Sequence, residues 1–297
     1  MATEHISPRY VDLDSWSTSE MIEAMYEGQL AAAAAVRDGL KAVAAAVDDA
    51  VPALQRGGRM IYAGAGTSGR IGVQDGSELL PTYGWPADRL VFVMAGGLGA
   101  LLQSVEGAED DEAAGIRAIE DAGITADDVV IGIAASGTTP FTMGVLRAAG
   151  DAGAVTIALA NNPEAPLLAV ARHGIMVETG TEVVAGSTRM KAGTAQKIVL
   201  NLLSTTIMVK LGRVYRGMMV HMRASNVKLR RRAEGMVSRI VGCSEAEAAR
   251  LVKRSGGDVK VAVLLGLGLA EAEAAEVLQR HDGNLRLAIK QCVHRRE

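Results

Sequence analysis

Aromatic residues make up only 3% of the 297-residue chain, and cysteine occurs twice, as Cys243 and Cys292. With so little aromatic bulk, a core must be built from Ala, Val, Ile, Leu and Met. That suits helices layered on a sheet better than a sandwich of aromatic-rich strands. Two isolated cysteines make neither a disulfide framework nor a metal-ligand pair. The five histidines (His5, His173, His221, His281 and His294) are equally dispersed, so no metal site is expected. The formal net charge of −3 supplies no global basic field, which argues against a nucleic-acid partner and requires any anion site to be local. No apolar run approaches the ~20 residues of a bilayer span. The opening Met-Ala-Thr-Glu-His-Ile-Ser lacks the basic and then apolar segments of a signal peptide, so a cytoplasmic protein without membrane contact is expected.

What the chain does have is apolar patterning: 49% of its residues are hydrophobic. Residues 17–56 read as an Ala-rich helix opened by a capping box of Ser17 and Glu20, with Pro52 expected to interrupt or restart it. Five short apolar runs follow, at 60–63, 90–95, 129–134, 155–160 and 175–177, alternating with helical patterns. Short continuous runs between helices predict an α/β fold, a doubly wound and mainly five-stranded parallel sheet covered on both faces. Ligands are then expected at the carboxyl ends of the strands. A helix from Arg189 to about Leu211 is apolar almost all round and is predicted to be buried, in the domain or against a second subunit. Beyond Gly242, Ser244 with Glu247 reads as another capping box, and short helices punctuated by Gly256-Gly257, Gly268 and Asp282-Gly283 read as a separate small bundle. The expected organisation is a helical segment at 1–56, a catalytic domain at 57–242 and the bundle at 243–297.

The first strand runs into Gly64-Ala-Gly66-Thr-Ser-Gly69-Arg70, formally a dinucleotide fingerprint. The acidic ribose anchor expected about 20 residues on is missing, because the second strand ends in Met94-Ala-Gly-Gly. Thr67 and Ser68, adjacent hydroxyls at a helix amino terminus, suit a single phosphate monoester instead. The third strand repeats the arrangement: Ser136-Gly-Thr-Thr139 precedes Pro140, which fits a first helical position. One such loop reads as an ordinary helix cap; two at strand ends of one sheet read as a phosphate site. A third loop carries Ser187, Thr188, Arg189 and Lys191. Ser187 or Thr188 is expected to cap the apolar helix, with Arg189 and Lys191 in its first turn. Cations there oppose the helix dipole by ~0.3–1 kcal/mol each, which a bound anion or a neighbouring carboxylate would offset; the plain alternative is that both side chains reach solvent or Glu182.

Two carboxylates stand out. Glu78 falls within the helix that starts at the first loop, about two turns beyond Arg70, on a fairly apolar stretch. An apolar surround would favour its neutral form and suit it to general acid work. Glu109 sits in the acidic cluster Glu106-Gly-Ala-Glu109-Asp-Asp-Glu112, and such clusters usually face water at a helix amino terminus.

These loops, in this order, closely resemble the sugar isomerase domain and, within it, the N-acetylmuramic acid 6-phosphate etherases. The matching stretches include Gly64-Ala-Gly-Thr-Ser-Gly-Arg70, Ser77-Glu78, Val105-Glu-Gly-Ala-Glu109-Asp110, Ile131-Gly-Ile-Ala-Ala-Ser-Gly137 and Gly186-Ser-Thr-Arg-Met-Lys-Ala-Gly-Thr-Ala-Gln-Lys197. Similarity begins near Thr3-Glu4 and reaches Ala224, Asn226 and Lys228-Leu229, and the small terminal bundle fits as well. The resemblance implies removal of D-lactate from N-acetylmuramic acid 6-phosphate, with no cofactor, in a homodimer. It implies Glu78 as proton donor and Glu109 as the second catalytic glutamate. Thr67, Ser68, Ser136 and Thr139 are then expected to hold the phosphate. Glu182, Ser187, Arg189 and Lys191 are further substrate-binding candidates, with Arg189 or Lys191 meeting the lactyl carboxylate.

The chain departs from the family pattern at Thr138, where Arg is usual, at Leu79-Leu80, where Cys-Pro is usual, and at Gly76, where Ala is usual. The rival readings are a non-catalytic phosphosugar-binding regulator on the same fold and an aldose–ketose isomerase. Binding alone needs neither Glu78 nor Glu109, and an isomerase would share the phosphate loops but not the Val105-Glu-Gly-Ala-Glu109-Asp110 segment.

Overall fold

The computed structural model describes residues 1–222 and 227–294. Ala224 and Asn226, named above for the resemblance, lie outside them. Helix α1 (Thr18–Gln55) leads into β1 (Met60–Gly64), α2 (Gly66–Ser77) and α3 (Leu79–Tyr83). Then follow β2 (Leu90–Met94), α4 (Glu112–Asp121), β3 (Val129–Ile133), α5 (Pro140–Asp151), β4 (Val155–Ala160), α6 (Pro166–Val170), β5 (His173–Met176) and α7 (Lys191–Lys210). Helices α8 (Val227–Val241), α9 (Glu245–Arg254), α10 (Val259–Gly266), α11 (Glu271–Arg280) and α12 (Leu285–His294) complete the described chain. Two compact units result: Met1–Ser77 with Ala87–Ser204, and Glu78–Pro86 with Thr205–Glu297.

In the first unit all five strands pair in parallel, in the order β2-β1-β3-β4-β5. Every residue of β1, β3 and β4 is buried, which explains their nearly continuous apolar runs: a strand covered on both faces has no solvent side to make polar. Alternate residues point to opposite faces. Ile61 and Ala63 join Val130, Ile119, Phe141 and Leu146 in a core beneath α4 and α5. Tyr62 faces the other way, where a Cβ on Gly72 of α2 would lie 3.4 Å from it, and Gly39 of α1 packs against Ile175 and Val177 on that side. The layers are helix, sheet, helix, as the sequence predicts.

The register aligns Gly64 with Met94 on one side and Ile133 on the other. The carboxyl ends of the central strands are therefore level. Because β2 and β3 flank β1 on opposite sides, the winding reverses between β1 and β3. That is where open α/β sheets take their ligands.

Helix α1 begins as expected. Ser17 N–H donates to Glu20 Oε2 at 2.8 Å and Glu20 N–H to Ser17 Oγ at 3.4 Å. Pro52, expected to break the helix, lies inside it. It sits in the last turn, where one missing donor costs one bond and the chain stops three residues later in any case.

The second unit has its own core, in which Val237, Leu251, Val263, Val277 and Leu285 from α8 to α12 pack together. Ser244 Oγ accepts from Glu247 N–H at 3.3 Å, while the Glu247 carboxylate pairs with Arg250. Residues 78–86 belong here because Arg213 holds them. Its guanidinium donates to Tyr83 O at 2.9 Å and Gly84 O at 2.8 Å, and stacks 4.8 Å from the ring of buried Trp85. Gly84 ends α3 at φ +61, and a Cβ there would lie 2.6 Å from His221 O. Among the described residues, no helix is long and apolar enough to cross a membrane.

Candidate active site

The two hydroxyl-bearing loops leave the sheet at the reversal between β1 and β3. A Cβ on Gly64 would lie 2.8 Å from Ile133 O, and one on Gly69 would lie 2.3 Å from Met94 Sδ and 2.7 Å from Gly64 O. Glycine at both positions is what lets α2 start directly on the strand ends. Gly69 N–H makes the bond to Ala65 O at 3.1 Å, so helix geometry leaves the preceding N–H groups without an intrahelical acceptor. At the second loop, Gly137 has φ +69 and its Cβ would meet that of Ala165 at 2.2 Å. Ser136 Oγ accepts from Thr138 N–H at 3.2 Å, which folds the loop back on itself. Thr139 is the residue before α5 but makes no side-chain cap bond, and Pro140 follows it. The plain capping role available to Thr139 is therefore not taken up.

Both loops open into one cleft of about 550 Å³, lined by Thr67, Ser68, Ser136, Thr138, Thr139 and Glu109 among others. Among the described residues that line it there is no lysine or arginine. An anion held here would rely on hydroxyls, backbone N–H groups and the amino ends of α2 and α5.

The acidic cluster divides its labour. Asp111 caps α4 by accepting from Ala114 N–H at 2.8 Å, and Glu112 pairs with Arg147. The bland reading of an acidic helix start thus belongs to these two. Glu109 lies in a short 3-10 turn, Ala108–Asp110, entered through Gly107 at φ +72. It is exposed, and it lines both the cleft and an adjoining cavity of about 240 Å³ that also contains Arg70 and Ser104. Arg70 donates to Ala100 O at 2.8 Å and so fastens the loop after β2.

Glu78 is placed differently from expectation. Helix α2 ends at Ser77 and Glu78 precedes α3 in the second unit, with its side chain exposed rather than set against apolar surface. The third loop also differs. Neither Ser187 nor Thr188 supplies a side-chain cap to α7. Glu182, wholly buried, accepts from Lys191 N–H and Ala192 N–H at 2.9 Å each. A carboxylate thus meets the dipole, and α7 begins two residues after Arg189. Lys191 Nζ donates to Thr181 O at 2.9 Å; burial lowers its pKa, against the pull of Glu182. Arg189 is exposed, and none of Glu182, Ser187, Arg189 and Lys191 lines the cleft, although Gly186 and Thr188 do. Within this chain helix α7 buries Val199, Leu203 and Ile207 but leaves Leu202 and Val209 exposed.

Sequence reasoning missed Met1 and Glu4, which also line the cleft. No periodicity or motif marks so short a segment; only its place at the start of the resemblance could have drawn notice. Among the described residues, no three His, Cys, Asp or Glu side chains gather as a metal-ligand set.

A parallel sheet in this order, with paired hydroxyl loops at the reversal, defines a doubly wound α/β domain that takes a small ligand at its strand ends. Residues 42–150 match the family model described as the glucokinase regulatory protein N-terminal SIS domain. A phosphoheptose isomerase from Francisella tularensis shares the fold at 18% identity and a TM-score of 0.50, over 65% of this chain and 100% of that one. The chain is 49% identical over 268 residues to the N-acetylmuramic acid 6-phosphate etherase of Deinococcus radiodurans, covering 90% of this chain and 88% of the relative. It is 47% identical over 265 residues to that of Yersinia pestis, covering 89% and 90%. This chain belongs to the N-acetylmuramic acid 6-phosphate etherase family.

Proposed function

We propose that the chain is a lyase that cleaves the D-lactyl ether of N-acetylmuramic acid 6-phosphate, giving N-acetylglucosamine 6-phosphate and D-lactate in cell-wall amino sugar recycling. The observation that carries this reading is the shared cleft: Thr67, Ser68, Ser136 and Thr139 gather at the amino ends of α2 and α5 with Glu109 on the same lining. The hydroxyls and N–H groups grip the 6-phosphate and hold the sugar in register.

In the open-chain sugar, the C1 aldehyde acidifies the C2 proton. Glu109 removes that proton, a C2=C3 double bond forms, and the C3–O bond to the lactyl group breaks. Glu78, assigned by the family resemblance, protonates the departing lactyl oxygen. Water then adds its oxygen to C3 and a proton returns to C2, so one water is consumed for each lactate released. Each placed acid or base contributes ~10²–10⁴-fold. Arg189 or Lys191 is proposed to meet the lactyl carboxylate, with Glu182 and Ser187 supporting that loop, and the working unit is proposed to be a cytoplasmic homodimer.

Turnover in deuterated water tests the route. Deuterium at C2 of the product, with D-lactate released, is the expected result. Lactate release without deuterium at C2 would overturn the elimination. The match to a regulatory-protein model favours one alternative, a phosphosugar-binding regulator. It predicts binding of the phosphosugar with no lactate at all.

A further inference from the structure

Residues 1–4 are sewn into the cleft wall. Thr3 is wholly buried: its N–H donates to Asn162 Oδ1 at 3.3 Å, and its hydroxyl accepts from Asn162 Nδ2 at 3.1 Å. Gly186 N–H donates to Thr3 O at 2.9 Å. The same Asn162 Nδ2 donates to Ala135 O at 2.8 Å, one residue before Ser136. The strap is thus fastened to the phosphate loop on one side and to the third loop on the other. Its next residue, Glu4, is exposed and lines the cleft, with its carboxylate 3.0 Å from where a Cβ on Gly186 would stand.

A carboxylate only accepts hydrogen bonds. The phosphate and the lactyl carboxylate are acceptors too, so Glu4 repels both. Sugar hydroxyls and the acetamide N–H are donors, and they alone suit it. We infer that Glu4 is a substrate-contacting specificity residue that reads donor groups on the sugar, held in place by the Thr3–Asn162 strap. The inference rests on the phosphosugar reading of the cleft but not on turnover.

The test is calorimetric titration of wild type and Glu4→Gln with N-acetylglucosamine 6-phosphate and, separately, inorganic phosphate. Loss of a charge-assisted hydrogen bond predicts sugar-phosphate affinity falling by about tenfold or more. Inorganic phosphate affinity should stay level or rise, because one repelling charge is gone. Equal weakening of both would make the strap merely structural and overturn the inference, as would no change in either. Tightening of both would reduce Glu4 to simple repulsion and overturn it as well. A wild type that binds the sugar phosphate but releases no lactate would overturn the etherase reading alone and leave this comparison intact.

Discussion

Phe92 occupies the space that a side chain at Gly76 would need: a Cβ there would lie 2.6 Å from Phe92 Cε1 and 3.0 Å from Tyr62 Cε2. The glycine at this position is therefore a packing matter between α2 and β2. Gly76→Ala gains up to ~1 kcal/mol of helix propensity but overpacks a buried contact, at ~1–3 kcal/mol. The steric term should win. Gly76→Ala is expected to lower the denaturation midpoint, and the pair with Phe92→Leu should be more stable than the two single changes sum to, by about 1 kcal/mol. Strict additivity would show that Phe92 is not the constraint.

Removing hydroxyls from both loops should act on binding rather than on folding. Ser68→Ala with Ser136→Ala removes two donors to a charged phosphate, each about 1.5–3 kcal/mol. The expected result is a phosphate affinity lower by at least about a hundredfold and a raised KM, with the unfolding midpoint little changed, since only Ser68 is buried. Retained phosphate affinity would sink the phosphate assignment.

Lys260 makes stability depend on pH in the second unit. Burial, helped by the nearby Arg213 and opposed by Asp258, lowers its pKa from 10.5 to about 8. Below pH 8 the amine is charged in both folded and unfolded chains, and the cost of burying it is fully present. Between about 8 and 10.5 the folded chain has released the proton while the unfolded chain keeps it, so stability should rise with pH across that window. Lys260→Met should abolish the rise and stabilise the protein at pH 7 by up to roughly 3 kcal/mol, less about 1 kcal/mol for the lost bond to Gly283 O. Parallel stability curves for wild type and variant would contradict this.

What was legible in the sequence was what short-range rules govern. Strands β1, β3 and β4 announce themselves because burial on both faces keeps them almost wholly apolar and free of charge. The Ser17–Glu20 box reads directly because its partners are three residues apart. The paired hydroxyl loops could be found because each follows a strand and opens a helix. Long-range partners were not legible. Glu182 caps α7 from nine residues away, beyond the positions that capping rules inspect. Asn162 holds Thr3 across 159 residues, which no local pattern anticipates. Pro52 misled because the rule for interior proline takes no account of how close the helix is to its natural end. Glu109 looked like one more charge in a solvated cluster; only the fold separates it from Asp111 and Glu112, whose side chains are otherwise engaged.

The central claim is that two glutamates, Glu78 and Glu109, carry out ether cleavage on a phosphosugar. Its most direct test is D-lactate release from N-acetylmuramic acid 6-phosphate by wild type, Glu78→Gln and Glu109→Gln, each first checked for folding and for binding of the phosphosugar. The account predicts release by wild type and a fall of about a hundredfold or more in each variant with binding retained. Either variant keeping wild-type rates, or a folded and phosphosugar-binding wild type that releases no lactate, would contradict it.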